Sequence, residues 1–478
     1  MGNLARRFVK DGAIYSLQPF IAKAISVLLV PLYTAYLTTG QYGEFSFIFA
    51  MGTFLMPLID MGQVSSFWKF NAEAAPHEAK DVVSTTILIR VLNGAVISLI
   101  LLALWLFFDI GSPIFVGYIL GYTLYSSYKI LQCRMRAEHR ARTYLVSAVA
   151  YSILLVGLNI LFITRFSMNS TGVVLSRMIS FAFFGILALI LAWRSTGLHF
   201  NKALSRKMIA YGFPLAMGNI AGVILGVTDK FMIKGLLGDS ALGLYSFGFK
   251  FGMMFQGFVV TTFFLAWNPV RWEIYKRSDG RALLSRISSV INFAMPGLAL
   301  IASGVLIVAA SILSQGETYL VGLGIVPLVA LGYCFYGMYY FDIMGILFAG
   351  KTKYITKIVT LGSIVNIVLN YILIRVFGIL GAAMATSLSY LMMRSIGYYY
   401  SNKLYSIKVS RLSRYIPVII SIAITYYIST TYDPAKVIPS AIILFIGGAI
   451  ILVIGSLIAR SQVKLLLQLL KRKSEQSA

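Results

Sequence analysis

Residues 436–459 read KVIPSAIILFIGGAIILVIGSLIA. After Lys436 the run carries no charge, and its apolar side chains fall on every face of a helix. A soluble helix keeps one polar face. About 20 such residues cross the ~30 Å hydrocarbon layer of a bilayer as a helix. The rest of the chain repeats this reading. Apolar stretches fall at 12–37, 44–67, 84–108, 112–133, 143–164, 172–194 and 208–235, then at 241–268, 283–313, 320–349, 355–376, 379–402 and 413–430, which with 436–459 makes fourteen expected spans. They are continuously apolar and do not alternate with period two, which excludes a transmembrane barrel. The first is read as a span and not as a cleaved leader, because Lys23 lies within it and it runs directly into the next hairpin.

Composition agrees. Of 478 residues 59% are hydrophobic and 12% charged, about half the charged share of a soluble domain. That excludes a disordered, collagenous or disulfide-framework chain and leaves a soluble enzyme without its charged skin. Cys133 and Cys334 lie far apart in apolar stretches and read as small buried hydrophobes. His77, His139 and His199 have no metal-ligand spacing, so no metal site is expected.

The net charge of +25 has a topological explanation. With the N-terminus inside, the segments on that side collect 31 of the 41 Lys and Arg residues, Arg90 and Arg414 among them. The outer segments hold only Arg165, Lys234, Arg375 and Lys436. Every second loop is basic. Both termini are therefore expected in the cytoplasm, with no nucleic-acid partner, and with the basic loops against anionic lipid heads. The outer loops are short, and neither side shows a Walker loop, a zinc signature or a nucleophile elbow. No nucleotide or other cofactor is expected.

Three pairs of stretches match internally. YGEFSF at 42–47 resembles LGLYSF at 242–247, an offset of 200. GLNILFITRF at 157–166 resembles VLNYILIRVF at 368–377, and GVVLSRMISF at 172–181 resembles GAAMATSLSY at 381–390, offsets of 211 and 209. Order and near-constant offset predict two parallel six-helix lobes, 1–200 and 201–408. Residues 409–460 then form an appended helix pair, and 461–478 a basic tail. The lobe interface is the expected place of a substrate cavity.

At this point the chain resembles a known family. PLYTAYLTTGQYGEFSF at 31–47, TDKFMIKGLLGDSALGLYSFGFK at 228–250 and FGILGAAMATSLSY at 377–390 resemble the oligosaccharide flippases, the Wzx-like polysaccharide transporters. These belong to the multidrug/oligosaccharidyl-lipid/polysaccharide exporter superfamily. The motifs mark the family and not the sugar. The resemblance implies an all-α, MATE-like, V-shaped pair of lobes working by alternating access. It implies isoprenyl-pyrophosphate-linked oligosaccharides as substrates, carried from the cytoplasmic to the outer leaflet of the inner (cytoplasmic) membrane.

Ionisable groups at bilayer depth cost about 2.5–3.5 kcal/mol each on insertion scales, so they face a cavity or a partner. Nine fall within the expected spans: Lys23, Asp60, Lys129, Arg177, Asp229, Lys230, Lys250, Asp342 and Arg394. A pyrophosphate crossing a low-dielectric region needs cations. Lys23, Lys250, Arg394 and Arg177 are the candidates for a cationic central cavity. Their alternative is pairing with Asp60, Asp229 or Asp342, and Arg177 could instead reach the outer interface. Those three carboxylates are the candidates for structural pairs or for a coupling proton or sodium ion. Lys129, near the inner end of its span, is read as snorkelling to the cytoplasm. Tyr122, Tyr125 and Tyr336 belong to aromatic stripes that either line a glycan path or pack helices. Pro31 is a candidate hinge. Tyr398, Tyr399 and Tyr400 read as an interfacial belt.

The leading expectation is a lipid-linked oligosaccharide flippase for an O-antigen or other surface-polysaccharide repeat unit. It is expected as a non-enzyme and a monomer, with polysaccharide polymerase machinery as a partner. A lipid-linked peptidoglycan precursor is a rival substrate. A MATE-like small-molecule antiporter would carry fewer membrane cations. A membrane glycan polymerase or an export scaffold is the alternative from a different class.

Overall fold

The computed structural model describes residues 18, 21, 23–75, 77–109 and 111–458. Arg6, Arg7, Lys10 and the basic tail at 461–478 lie outside the described residues. Among those described, regular structure is helical throughout and no strand occurs. Ten helices are long and apolar enough to cross a membrane, or eleven with one bent pair counted as a single span. Contacts divide the chain into two units, Met1–Val227 and Thr228–Ala478.

Unit 1 begins with α1 (Lys23–Tyr36), which continues as helix through Pro31. Thr38 then caps α2 (Thr39–Asp60): its side chain accepts from the Gln41 amide, and the Gln41 side chain accepts from the Thr38 amide. α2 stops at Met61 and Gly62, both left-handed, and the chain re-enters helix as α3 (Gln63–Glu73). A Cβ on Gly62 would lie 2.1 Å from the Gly212 carbonyl oxygen, so only glycine fits this break. Next come α4 (Ala79–Phe108), α5 (Pro113–Ala137), α6 (Ala141–Ile160, followed by a π-turn over Leu161–Arg165) and α7 (Asn169–Thr196). The first part of α8 (Lys202–Leu237) packs in the same unit, where Ser66 Oγ donates to the Met208 carbonyl.

α4 shows the pattern that lipid imposes. Its buried positions include Ser84, Thr85, Thr86, Arg90, Gly94 and Ser98, while Leu92, Val96, Leu99, Ile100 and Phe107 are exposed. Between helices in a bilayer there is no hydrophobic driving force, so small and polar residues make the interface and the apolar ones meet lipid. α5 is absent from the ten strongly apolar helices because tyrosines, serines and Lys129 interrupt it. It is nonetheless buried along much of its length.

Unit 2 continues with α9 (Asp239–Gly252), α10 (Thr261–Tyr275), α11 (Gly280–Leu313), α12 (Val326–Asp342) and the short α13 (Met344–Phe348). α14 (Lys353–Leu404) is two arms meeting at Gly378, whose φ of 58° and ψ of −136° break the helix. These arms carry the expected spans at 355–376 and 379–402. The appended pair, α15 (Arg411–Thr430) and α16 (Val437–Ile458), packs on α11 through small residues such as Ser440, Ala441, Gly448 and Gly455.

Candidate functional site

The aromatic stripe on α5 is the base of the site in unit 1. Tyr118, Tyr122 and Tyr125 recur at helical spacing and are buried. They pack on Phe181 of α7, with ring centroids at 5.8, 5.8 and 4.4 Å respectively. Tyr151 of α6 closes the cluster, 5.2 Å from Tyr125. Tyr122 and Tyr125 are therefore helix-packing aromatics here, and their hydroxyls face other protein groups.

Two cations sit on this cluster. Arg177 lies eight residues into α7, about 12 Å from its outer end. Its guanidinium stacks 3.9 Å from the centroid of Phe49, within electrostatic reach of Tyr118. Electrostatically it reaches Tyr33 and Tyr151. So it turns inward and does not reach for the outer interface. Lys129 also departs from expectation. Instead of snorkelling to the cytoplasm it donates to the Tyr122 hydroxyl at 3.4 Å, two turns back along α5, and lies 5.2 and 5.7 Å from the Tyr122 and Tyr125 rings. The π faces and a hydroxyl give the ammonium partners inside the membrane. Among the described residues neither cation is paired with a carboxylate.

The three membrane carboxylates separate by partner. Asp60, at the end of α2, is 3.2 Å from Arg90, which is only 1% exposed. Arg90 lies eleven residues into α4, about 16 Å along its axis from the first residue. Its place in the cytoplasmic charge count is thus corrected: it is a buried ion-pair partner. Asp342, at the end of α12, accepts from Arg394 at 3.0 Å and lies 3.8 Å from Arg414. Arg394 also donates to Asn292 at 2.7 Å, and Arg414 stacks on Tyr398. Arg414 was likewise counted with the cytoplasmic loops, yet it is 7% exposed and ties α15 to α12.

Asp229 differs from both. It is 1% exposed in α8, accepts from the Tyr245 hydroxyl and from the Lys230 amide, and forms no ion pair among the described residues. This carboxylate is held by one hydroxyl and a backbone amide. Lys230 points elsewhere, 5.2 Å from the Phe249 ring.

Lys23 opens α1 and Lys250 lies in the last turn of α9, both partly buried. Tyr336 meets Tyr340, hydroxyl to hydroxyl, at 2.7 Å and packs 4.8 Å from Tyr390. Sequence reasoning gave Lys129, Arg90 and Arg414 no role in the membrane. The signal for Arg90 was its position well inside an apolar run. For Lys129 it was the tyrosine stripe one and two turns earlier.

A helical fold with many apolar spans and charges held at bilayer depth defines a polytopic membrane transporter. Over residues 8–274, more than half its length, the chain matches the family model described as "Polysaccharide biosynthesis protein", and it belongs to that family. It is accordingly a multi-pass membrane protein of that family. Its fold is similar to that of the lipid II flippase MurJ in an inward closed conformation, at 16% identity and a TM-score of 0.67, covering 94% of this chain and 100% of that one. An inward-facing MATE multidrug resistance transporter of the MOP superfamily is similar at 11% identity, TM-score 0.56, covering 87% and 96%. The Vibrio cholerae MATE transporter VcmN follows at 14%, 0.51, 84% and 97%. No curated protein matches the chain significantly.

Proposed function

We propose that this protein carries a polyprenyl-pyrophosphate-linked oligosaccharide, the repeat unit of a surface polysaccharide, from the cytoplasmic to the outer leaflet by alternating access. The observation that carries this reading is the pair Arg177 and Lys129, two cations on one buried aromatic cluster without a carboxylate between them. Uncompensated cations are costly at this depth, and a diphosphate is the ligand that offsets the cost. Lys23 and Lys250 are proposed as further contacts, and Pro31 as a hinge. Asp229 is proposed as the acceptor of the coupling proton or sodium ion. The protein acts as a carrier and makes no glycosidic bond; it works as a monomer and hands its cargo to a polymerase.

A peptidoglycan precursor is the second reading. It is favoured by the fold shared with the lipid II flippase MurJ. A small-molecule cation antiporter fits the two cations poorly.

The test is the leaflet distribution of lipid-linked oligosaccharide in cells depleted of the protein. Accumulation on the cytoplasmic side, with loss of surface polymer and normal cell wall, is the expected result. Cytoplasmic accumulation of lipid II would favour the second reading. Normal arrival of both at the outer leaflet with altered polymer length would overturn transport and favour a polymerase or scaffold.

A further inference from the structure

The end of α14 that the charge distribution assigns to the cytoplasm holds a feature that transport leaves unused. There the two arms of α14 enclose a groove of about 510 Å³. Its floor is apolar: Ile358 is buried, and Leu361 and Ile396 line the walls. Its rim carries Lys357 from the first arm and Tyr399 from the second, while Ser395, whose hydroxyl donates to the Leu391 carbonyl, lines it deeper.

Depth orders these groups. Lys357 lies four residues from the start of α14, about 6 Å, and Leu361 eight residues, about 12 Å. Tyr399 lies five residues from the end, about 8 Å. The rim is therefore at the level of lipid headgroups and glycerol, and the floor extends into the hydrocarbon. Tyr399 is 61% exposed. Behind it Tyr354 and Tyr400 brace the two arms with ring centroids 5.0 Å apart. Lys357 is exposed, and among the described residues it has no ion pair, hydrogen bond or ring partner. No carboxylate lines the groove.

An interfacial tyrosine belt alone needs no concavity. Here one free cation and phenol hydroxyls stand over an apolar slot that opens at membrane depth. We propose that this groove binds one anionic glycerophospholipid of the cytoplasmic leaflet. Its phosphate lies on Lys357 and the hydroxyls, and one acyl chain runs along Ile358, Leu361 and Ile396. A zwitterionic lipid would bring its own ammonium beside Lys357, so the site selects net negative charge. The lipid would clamp the two arms of α14 at their open end. This inference stands independently of which substrate is carried.

The test uses the full-length protein, reconstituted in mixed phosphatidylcholine and phosphatidylglycerol discs and released for native mass spectrometry. The wild type is expected to retain phosphatidylglycerol over phosphatidylcholine. Lys357→Gln should lower the retained phosphatidylglycerol about fivefold, the effect of one lysine near an anionic surface, while Lys353→Gln leaves it near the wild-type level. Ser395→Trp, which fills the groove from the other arm, should abolish retention and guards against a folding defect peculiar to the first variant. Equal retention of the two lipids, or retention unchanged in both groove variants, would overturn the proposal. Displacement of the lipid by inorganic phosphate alone would do so as well, because it would make the site a simple anion site without a chain groove.

Discussion

In unit 1 the stretch at 172–181 places Arg177 against Tyr118 and Phe49. In unit 2 the matching stretch at 381–390, offset by 209, places the uncharged Thr386 at the equivalent position, in the unit where Tyr245 meets a carboxylate. Tyr245 donates to Asp229. The aromatic support is kept: Phe181 packs on Tyr125, and its counterpart Tyr390 packs on Tyr336. The duplicated asparagines diverge too. Asn159 accepts from the Tyr33 hydroxyl at 2.8 Å, whereas Asn370 donates to Asn366 at 2.9 Å. One scaffold thus holds a cation without a carboxylate in unit 1 and a carboxylate without a cation in unit 2. A duplicated membrane fold keeps its packing because small and aromatic residues set the helix interfaces. The charges can change sign, since each needs only a local shell of hydroxyls and rings.

The most severe test of this contrast is to break a paired site. Asp342→Ala leaves Arg394 and Arg414 buried without a counter-ion. It is expected to destabilise unit 2 by about 3–5 kcal/mol, seen as a lower thermal midpoint and less folded protein in size-exclusion chromatography. A neutral outcome would mean that paired and unpaired charges are not separable as argued here.

Arg177→Gln should do the reverse. The loss of one charge-assisted contact, about 1.5–3 kcal/mol, lowers transport roughly 10- to 100-fold while the thermal midpoint stays near the wild-type value. Normal transport in this variant and in Lys129→Gln would remove the anionic reading of unit 1. Asp229→Asn keeps the hydrogen-bonding shape but not the charge. It should cut the gradient-driven part of transport about tenfold, within the usual range of coupling energies. Transport that still follows an imposed proton or sodium gradient would assign coupling elsewhere.

The smallest effect belongs to an exposed pair in the loop after α10. Arg277 donates to Asp279 at 2.7 and 2.9 Å, and these hydrogen bonds hold the Asp279 carboxyl below its ordinary pKa. A depressed folded-state value gives stability above the ordinary carboxylate range that fades as pH falls through the lowered value. In this exposed setting solvent screens the pair. Asp279→Asn should therefore leave the thermal midpoint at neutral pH unchanged. A clear fall would show that surface pairs matter as much as Asp342 and Arg394.

Residues 436–459 alone determined that the protein lives in a bilayer, because no water-facing stripe can be drawn on them. The fourteen apolar stretches, the basic loops and the repeated motifs likewise carried the helical class and the transporter family. They do so because lipid acts on each residue's own chemistry, one span at a time. Only the tertiary structure decided which charges are partnered. Arg90 and Arg414 looked like loop cations and proved to be buried ion-pair partners. Lys129 looked like a snorkelling lysine and turned to Tyr122. Asp60, Asp229 and Asp342 were indistinguishable by depth, yet only Asp229 lacks an ion pair among the described residues. Pairing depends on which faces of helices distant in sequence meet within about 4 Å. Hydropathy averages over a whole span and carries no information on that scale.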